Sequence, residues 1–540
     1  MGRLRYSAAG PVFVCYVFIH VIFPKVWKKG PRRITLEHMG ESVNTRSSRI
    51  NSFNDIEIPE LLAPAGDLQT AIIALESGAD AVYAGLSKFN AREMAHNFSF
   101  EDMSRLSAYC KKKNKRFYLT FNTLIKEGEL FEAAASLERA ASLDPDGIIV
   151  QDLGMVSMLR EFFPGIELHA STQMGIHNSE GVKAAAELGI TRVILERQVT
   201  MEELRSITAE SPIEIELFIH GALCASLSGR CLFSSWIGGW SGNRGKCKQP
   251  CRRRYHLTEE SGSGTSGFFF STQDLYSLDL LEEYSRMGVA SLKIEGRLKK
   301  GSYIAPVVRA YRMGLDTVAE GGGSDISQAK QELSRALGRR WTHGFASEED
   351  MEEVIQPANP GVSGLLIGEV SDGGNGGSHE KRVADGAVNG RMRGFDVRLS
   401  RPLHIGDRIR VQTKSGEESP SITVTKMRQR GKTVKRAREG FVRIVADAEV
   451  PQNGRVYKVS TGTKMPGPSA EKLPLYSAKI RVDIEIRVSE GEIRGRFRPA
   501  GISSEVPAFS EWWIRPLLTE PAQNRALTKA KIEEQLFTTR

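Results

Sequence analysis

The chain has 540 residues, more than one ordinary core accommodates, so two or three domains are expected. Hydrophobic residues make up 40% and charged residues 26%, which excludes a disordered chain and a membrane-embedded one. A formal charge of +9 favours a polyanionic partner, and six cysteines, four of them in one stretch, do not make a secreted disulfide framework, so a reducing, cytoplasmic setting is expected.

Residues 1–55 read as an extension and linker. Arg3 and Arg5 precede an apolar run over 11–23, and Lys25, Lys28, Lys29, Arg32 and Arg33 follow it. The run is shorter than the roughly 20 residues of a membrane helix, and no small-residue cleavage site follows. A dispensable extension or a start placed too far upstream is the leading expectation, with a membrane anchor left open.

From Ile56, short apolar runs alternate with helical stretches, the pattern of βα units. Eight strands are expected over 60–63, 81–84, 116–121, 147–151, 167–170, 192–195, 215–220 and 291–295, with helices including 68–77, 100–112, 130–142, 179–188 and 201–207. Eight units imply an α/β fold, a TIM-like (β/α)8 barrel over 56–320 with its active face at the strand C-terminal ends. Polar residues gather at those ends: Asp67, Asn90, Arg92, Asn122, Gln151, Asp152, His169, Ser171, Thr172, Gln173, Glu196, Arg197, His220, Lys293, Glu295 and Arg297. Any one of them alone is more often a cap or an ion-pair partner; their convergence carries the argument. His220, Lys293, Glu295 and His169 are the candidate catalytic groups. Strict alternation points His220 inward beside Glu216 and Phe218. A histidine there can shuttle protons, and a lysine can neutralise a small carboxylate. No G-x-S-x-G elbow or H-E-x-x-H helix is present, so no hydrolytic machinery can be named.

Directly after strand seven comes HGALCASLSGRCLFSSWIGGWSGNRGKCKQPCRRRY, with Cys224, Cys231, Cys247 and Cys251 spaced C-x6-C-x15-C-x3-C. Four thiolates on one loop suit a soft metal centre. Zinc sites usually show two close thiolate pairs, and only Cys247/Cys251 approaches that spacing. A four-iron four-sulfur (4Fe-4S) cluster is therefore favoured, with zinc, disulfides or unrelated buried thiols as alternatives. The stretch holds no carboxylate. Arg230, Arg244, Lys248, Arg252, Arg253 and Arg254, interleaved with Trp236, Trp240 and Tyr255, make it a candidate RNA surface. The plain alternative is a solvated basic loop.

Residues 321–360 read as a helical connector and 361–477 as a basic, β-barrel-like domain of short alternating runs that include Arg398, Arg408, Arg428 and Arg438. Residues 478–540 form an α+β accessory region with a helix near 529–536.

ELLAPAGD at 60–67, DAVYAG at 80–85, FNAREMAHNF at 89–98, HASTQMGIHN at 169–178, HGALCASLSGRC at 220–231, NRGKCKQPCR at 243–252, STQDL at 271–275 and LKIEGRLK at 292–299 together resemble the collagenase-like peptidase family U32, of unassigned catalytic type. The resemblance covers about 56–320. It implies an iron–sulfur-dependent RNA hydroxylase acting on a tRNA wobble uridine or a ribosomal RNA cytidine, with prephenate implicated. The family's cluster cysteines carry over to Cys224, Cys231, Cys247 and Cys251. The stretch from VDIEIRV to LTKAKIEEQL is similar to the accessory region of the long members, which include the ribosomal RNA enzyme, although here it stops soon after EEQL and is expected to be incomplete. A peptidase and a non-catalytic iron–sulfur accessory protein are the competing expectations. No stable membrane partner is expected.

Overall fold

A computed structural model describes residues 56–93, 95–258, 264–321, 325–355, 357, 364–371, 394–413, 421–446, 450–462 and 473–476, with strands over 482–489, 492–499 and 513–516. The apolar run over 11–23 and the helix expected near 529–536 lie outside the described residues. Among the described residues no helix is long and apolar enough to cross a membrane.

Eight parallel strands form a closed barrel: β1 Glu60–Pro64, β2 Ala81–Ala84, β3 Arg116–Phe121, β4 Gly147–Val150, β5 Leu168–Ala170, β6 Arg192–Ile194, β7 Glu214–Ala222 and β8 Ser291–Ile294. β8 pairs with both β7 and β1 and so closes the ring. The TIM-like barrel expected from the alternation is the fold observed, because strands buried on both faces read as short apolar runs. Helices α1 Leu68–Glu76, α2 Phe100–Lys113, α3 Leu130–Ala141, α4 Leu153–Phe162, α5 Ser179–Glu187 and α6 Met201–Glu210 cover the outside. Asp67 accepts from Thr70 N at 2.7 Å and Asp152 from Met155 N at 3.1 Å, so two of the strand-end carboxylates are helix caps.

The barrel interior has two levels. Toward the strand starts, Arg192, 2% exposed, donates to Glu60 at 2.8 Å and Glu216 at 3.3 Å and reaches Glu214 at 2.7 Å. Lys293, in register with Leu62 and Phe218 of the layer above, reaches down to donate to the other oxygen of Glu216 at 2.8 Å. Above this ion network, Leu62, Tyr83, Ile149, Ile194 and Phe218 pack as an apolar layer.

β7 does not alternate to its end. Lys293 pairs with Phe218, but the next residue, Ile294, pairs with His220, so Ile219 is an extra residue, a β-bulge. Gly221 follows at φ +102, and a Cβ there would stand 2.3 Å from the carbonyl oxygen of Glu295, so only glycine fits.

A short strand, Asp274–Tyr276, lies antiparallel to the end of β7, and Trp341–Thr342 adds to its other edge. The long helix Gly301–Ala319, α7, packs outside the barrel against β1 and α1. Between Leu365 and Ser460, eight strands form an antiparallel sheet over a core that includes Ile367, Val397, Val411, Val442, Ile444 and Val456. On its exposed face Arg398 stands opposite Phe441 and Arg428 opposite Arg443.

Candidate functional site

The cysteine loop folds over the barrel mouth. Cys224, Cys231, Cys247 and Cys251 are all free thiols, and all four border one cavity of about 710 Å³ whose floor includes Tyr83, Phe218 and Lys293. Burial pushes the Cys251 thiol up; Arg252 opposes this, while the charges of Cys224, Cys247 and Cys231 add to it, which places all four sulfurs within electrostatic reach. Among the described residues no group of three or more His, Cys, Asp or Glu forms a site for a single metal ion.

Several anchors hold the loop. Glu196 accepts from the backbone N–H of Ser228 at 3.0 Å and from its hydroxyl at 3.2 Å. Gly229, at φ +73, lies so close to the barrel that a Cβ would be 2.0 Å from the carbonyl oxygen of Gln173. Arg252 donates to the carbonyls of Leu223, at 2.6 Å, and Thr272. Arg244 forks onto Glu129 at 2.5 and 2.9 Å and holds that carboxyl down near about 2. Two of the six expected RNA contacts, Arg244 and Arg252, are thus engaged as clamps within the fold. Arg230, Lys248, Arg253 and Arg254 are exposed.

The mouth is rich in guanidinium groups. Arg92 donates to Glu295 at 3.1 Å, and Arg197 lies 4.0 Å from the centre of the Phe218 ring. Arg297, 4% exposed, donates to Asn90 at 3.0 Å, Asn97 at 2.5 Å and Thr120 at 3.3 Å, all neutral acceptors, and burial pushes it down to about 10. The Nε atoms of Arg197 and Arg297 are buried without a hydrogen-bond partner. Burial pushes the Glu295 carboxyl up, but Arg92, Arg197 and Arg297 outweigh it and hold it below the usual carboxylate range. Burial likewise works against Glu216, where Lys293 and Arg192 prevail and keep the carboxylate ionised. With Glu216 and Glu295 set against Lys293, Arg92, Arg197 and Arg297, the cavity keeps an excess of positive charge suited to a small anion. In sequence these arginines carry only the mark of strand-end position, shared with the caps Asp67 and Asp152.

Lys293 and Glu295 therefore lie on the cavity, at its floor and its mouth. The two histidines do not. His220, expected to point inward, is turned outward by the bulge and packs between β7 and α7, where it hydrogen-bonds Tyr303 at 3.0 Å and Tyr311 at 3.3 Å. Burial pushes it down to about 4, so it is neutral rather than a shuttle near pH 7. His169 faces inward but at the strand starts, 3.6 Å from Glu167 and with its ring 4.8 Å from that of Tyr118. The alternation of β5 is correct there; the level is wrong, since the apolar layer separates His169 from the mouth. Among the described residues no histidine lines the cavity, so none of its serines or thiols is seen beside the imidazole base of a hydrolytic pair.

Residues 66–356 match peptidase family U32. The chain belongs to this family. It is 36% identical over 298 residues to an uncharacterized protease of Methanocaldococcus jannaschii, covering 53% of this chain and 72% of the relative. It is similar to tRNA hydroxylation protein P1 of Bacillus subtilis, 34% identical over 321 residues, covering 58% of this chain and 74% of that protein. A 23S rRNA 5-hydroxycytidine synthase of Escherichia coli is 36% identical over 288 residues, covering 53% of this chain and 42% of the relative. The U32 match runs past 320 to 356 and so takes in Trp341–Thr342, the segment paired with Asp274 and Leu275.

Proposed function

We propose that this U32 protein hydroxylates a base in RNA, a ribosomal RNA cytidine or a tRNA wobble uridine. The observation that carries the reading is the convergence of four free thiols with buried Arg297 and half-buried Arg92 and Arg197 on one cavity that no histidine lines among the described residues. RNA-hydroxylation relatives lend it support. Cys224, Cys231, Cys247 and Cys251 would hold a 4Fe-4S cluster, a reading supported by four free thiols that border one cavity. When bound, such a cluster supplies electron-transfer chemistry at the mouth.

The chain's own residues bind and orient. Arg197 and Arg297, each with a buried Nε lacking a partner, would receive a carboxylate-bearing co-substrate, for which prephenate is the candidate from the family resemblance. Lys293 adds charge from below, held by Glu216. Glu295 keeps Arg92 aimed at the mouth. Arg230, Lys248, Arg253 and Arg254 would meet RNA phosphates at the rim.

Nucleoside mass spectrometry of total RNA from a deletion strain tests the proposal. One hydroxylated base should vanish, return with the wild-type chain and stay absent with Cys247→Ser. An unchanged nucleoside profile would refute it, and rescue by Cys247→Ser would leave the cysteines a purely structural part.

A further inference from the structure

The lip of the cavity is apolar and exposed where a solvated loop would be polar. Trp236 is 83% exposed yet borders the cavity, in company with Leu232, Phe270 and Leu298. An indole this open contributes nothing to the core, and its ring has no aromatic neighbour among the described residues. Its support is held by a hydrogen bond and by ring packing. Trp236 lies on the single-turn helix Phe233–Gly238, whose Ser234 hydroxyl accepts from the N–H of Lys248 at 3.0 Å. Beneath it Phe233 stacks on Tyr255 at 6.0 Å, and Phe270 meets both rings edge-on at 5.5 and 5.8 Å. Trp240, the neighbouring indole, already has its face covered by the ammonium of Lys248 at 4.3 Å.

From these contacts we infer that Trp236 is a stacking platform for an unpaired nucleotide beside the one that enters the cavity. The inference rests on the RNA reading above and names the residue that would select single-stranded over duplex substrate. Stacking on an open indole asks only for a π-face, while the exposed Arg230, which also borders the cavity, can supply a phosphate contact. Charge decides the class of partner: Arg230, Lys248, Arg253 and Arg254 stay exposed on a stretch from His220 to Tyr255 that holds no carboxylate, which favours a polyanion over an ordinary protein surface. An anionic bilayer shares that charge, but it would seal a cavity whose arginines are set to receive a solute.

The test uses the full chain, prepared without oxygen. Two probes are compared by fluorescence anisotropy: a synthetic RNA hairpin with an unpaired loop, and the same strand annealed to its complement. Trp236→Ala should weaken hairpin binding about tenfold to a hundredfold, and Trp236→Phe should restore most of it. Duplex affinity, iron content and melting should not change. If Trp236→Ala binds the hairpin as wild type does, the platform is wrong and the RNA reading survives. If the wild-type chain binds neither RNA, both fall. Trp236-dependent binding to vesicles of anionic lipid, with no RNA binding, would overturn both in favour of a membrane contact.

Discussion

His220 offers a stringent test because its orientation decides between two roles. Replacing it with Ala removes a ring that is 1% exposed, packed among Tyr303, Tyr311 and Trp341. Tyr311 keeps the carbonyl of Ile219 at 2.9 Å, whereas the Tyr303 hydroxyl loses its 3.0 Å partner. The cavity and the orphaned hydroxyl together should cost about 3–5 kcal/mol, a fall in Tm of roughly 6–20 °C for a domain of this size. His220→Gln keeps a hydrogen-bonding group and should lose less. The pH dependence adds an independent check. Burial lowers the histidine from 6.5 in the unfolded chain to about 4 in the fold. Between those values the unfolded chain binds a proton that the folded one does not, so stability is full above 6.5 and declines by about 3 kcal/mol as the pH falls to 4. Chemical denaturation at a series of pH values should show a shallower acid loss in His220→Gln than in wild type. An equal acid slope, with Tm unchanged in His220→Ala and hydroxylation abolished, would refute the reasoning and make the histidine catalytic.

Three further outcomes are expected. Protein purified without oxygen should be brown with about four irons and four sulfides per chain, and Cys247→Ser should lose the colour; stoichiometric zinc in a colourless protein contradicts the cluster. Lys293→Met leaves the buried Glu216 carboxylate with Arg192 at 3.3 Å as its remaining cation contact and should cost about 3–5 kcal/mol. Adding Glu216→Gln should recover much of that loss, and strictly additive losses in urea titrations would show the pair to be uncoupled. On the C-terminal sheet, Arg398→Glu with Arg428→Glu should reduce the slope of log affinity against log salt by about two for RNA; an unchanged slope puts the RNA surface elsewhere.

The alternation of apolar runs and helical stretches was sufficient to read the eight strands, because a strand buried on both faces needs its own short apolar run and each helix its own periodicity. The gathering of four thiols at one cavity was equally legible, since all four lie within 28 residues of one loop. Orientation and partnership were not. One extra residue at Ile219 turns His220 from the lumen to the outer layer, and nothing within β7 announces a bulge that exists only against Lys293 and Ile294. The height of a residue in the barrel is similarly hidden: His169 and Lys293 both face inward, but one packs at the strand starts against Glu167 and Tyr118 and the other reaches the cavity floor. Arg244 and Arg252 read as free cations because their acceptors are remote in the chain, 115 residues away at Glu129 and 29 at Leu223. Local sequence records which groups a segment carries; the closure of the barrel decides which of them meet, since an ion pair or a bulge belongs to two segments at once.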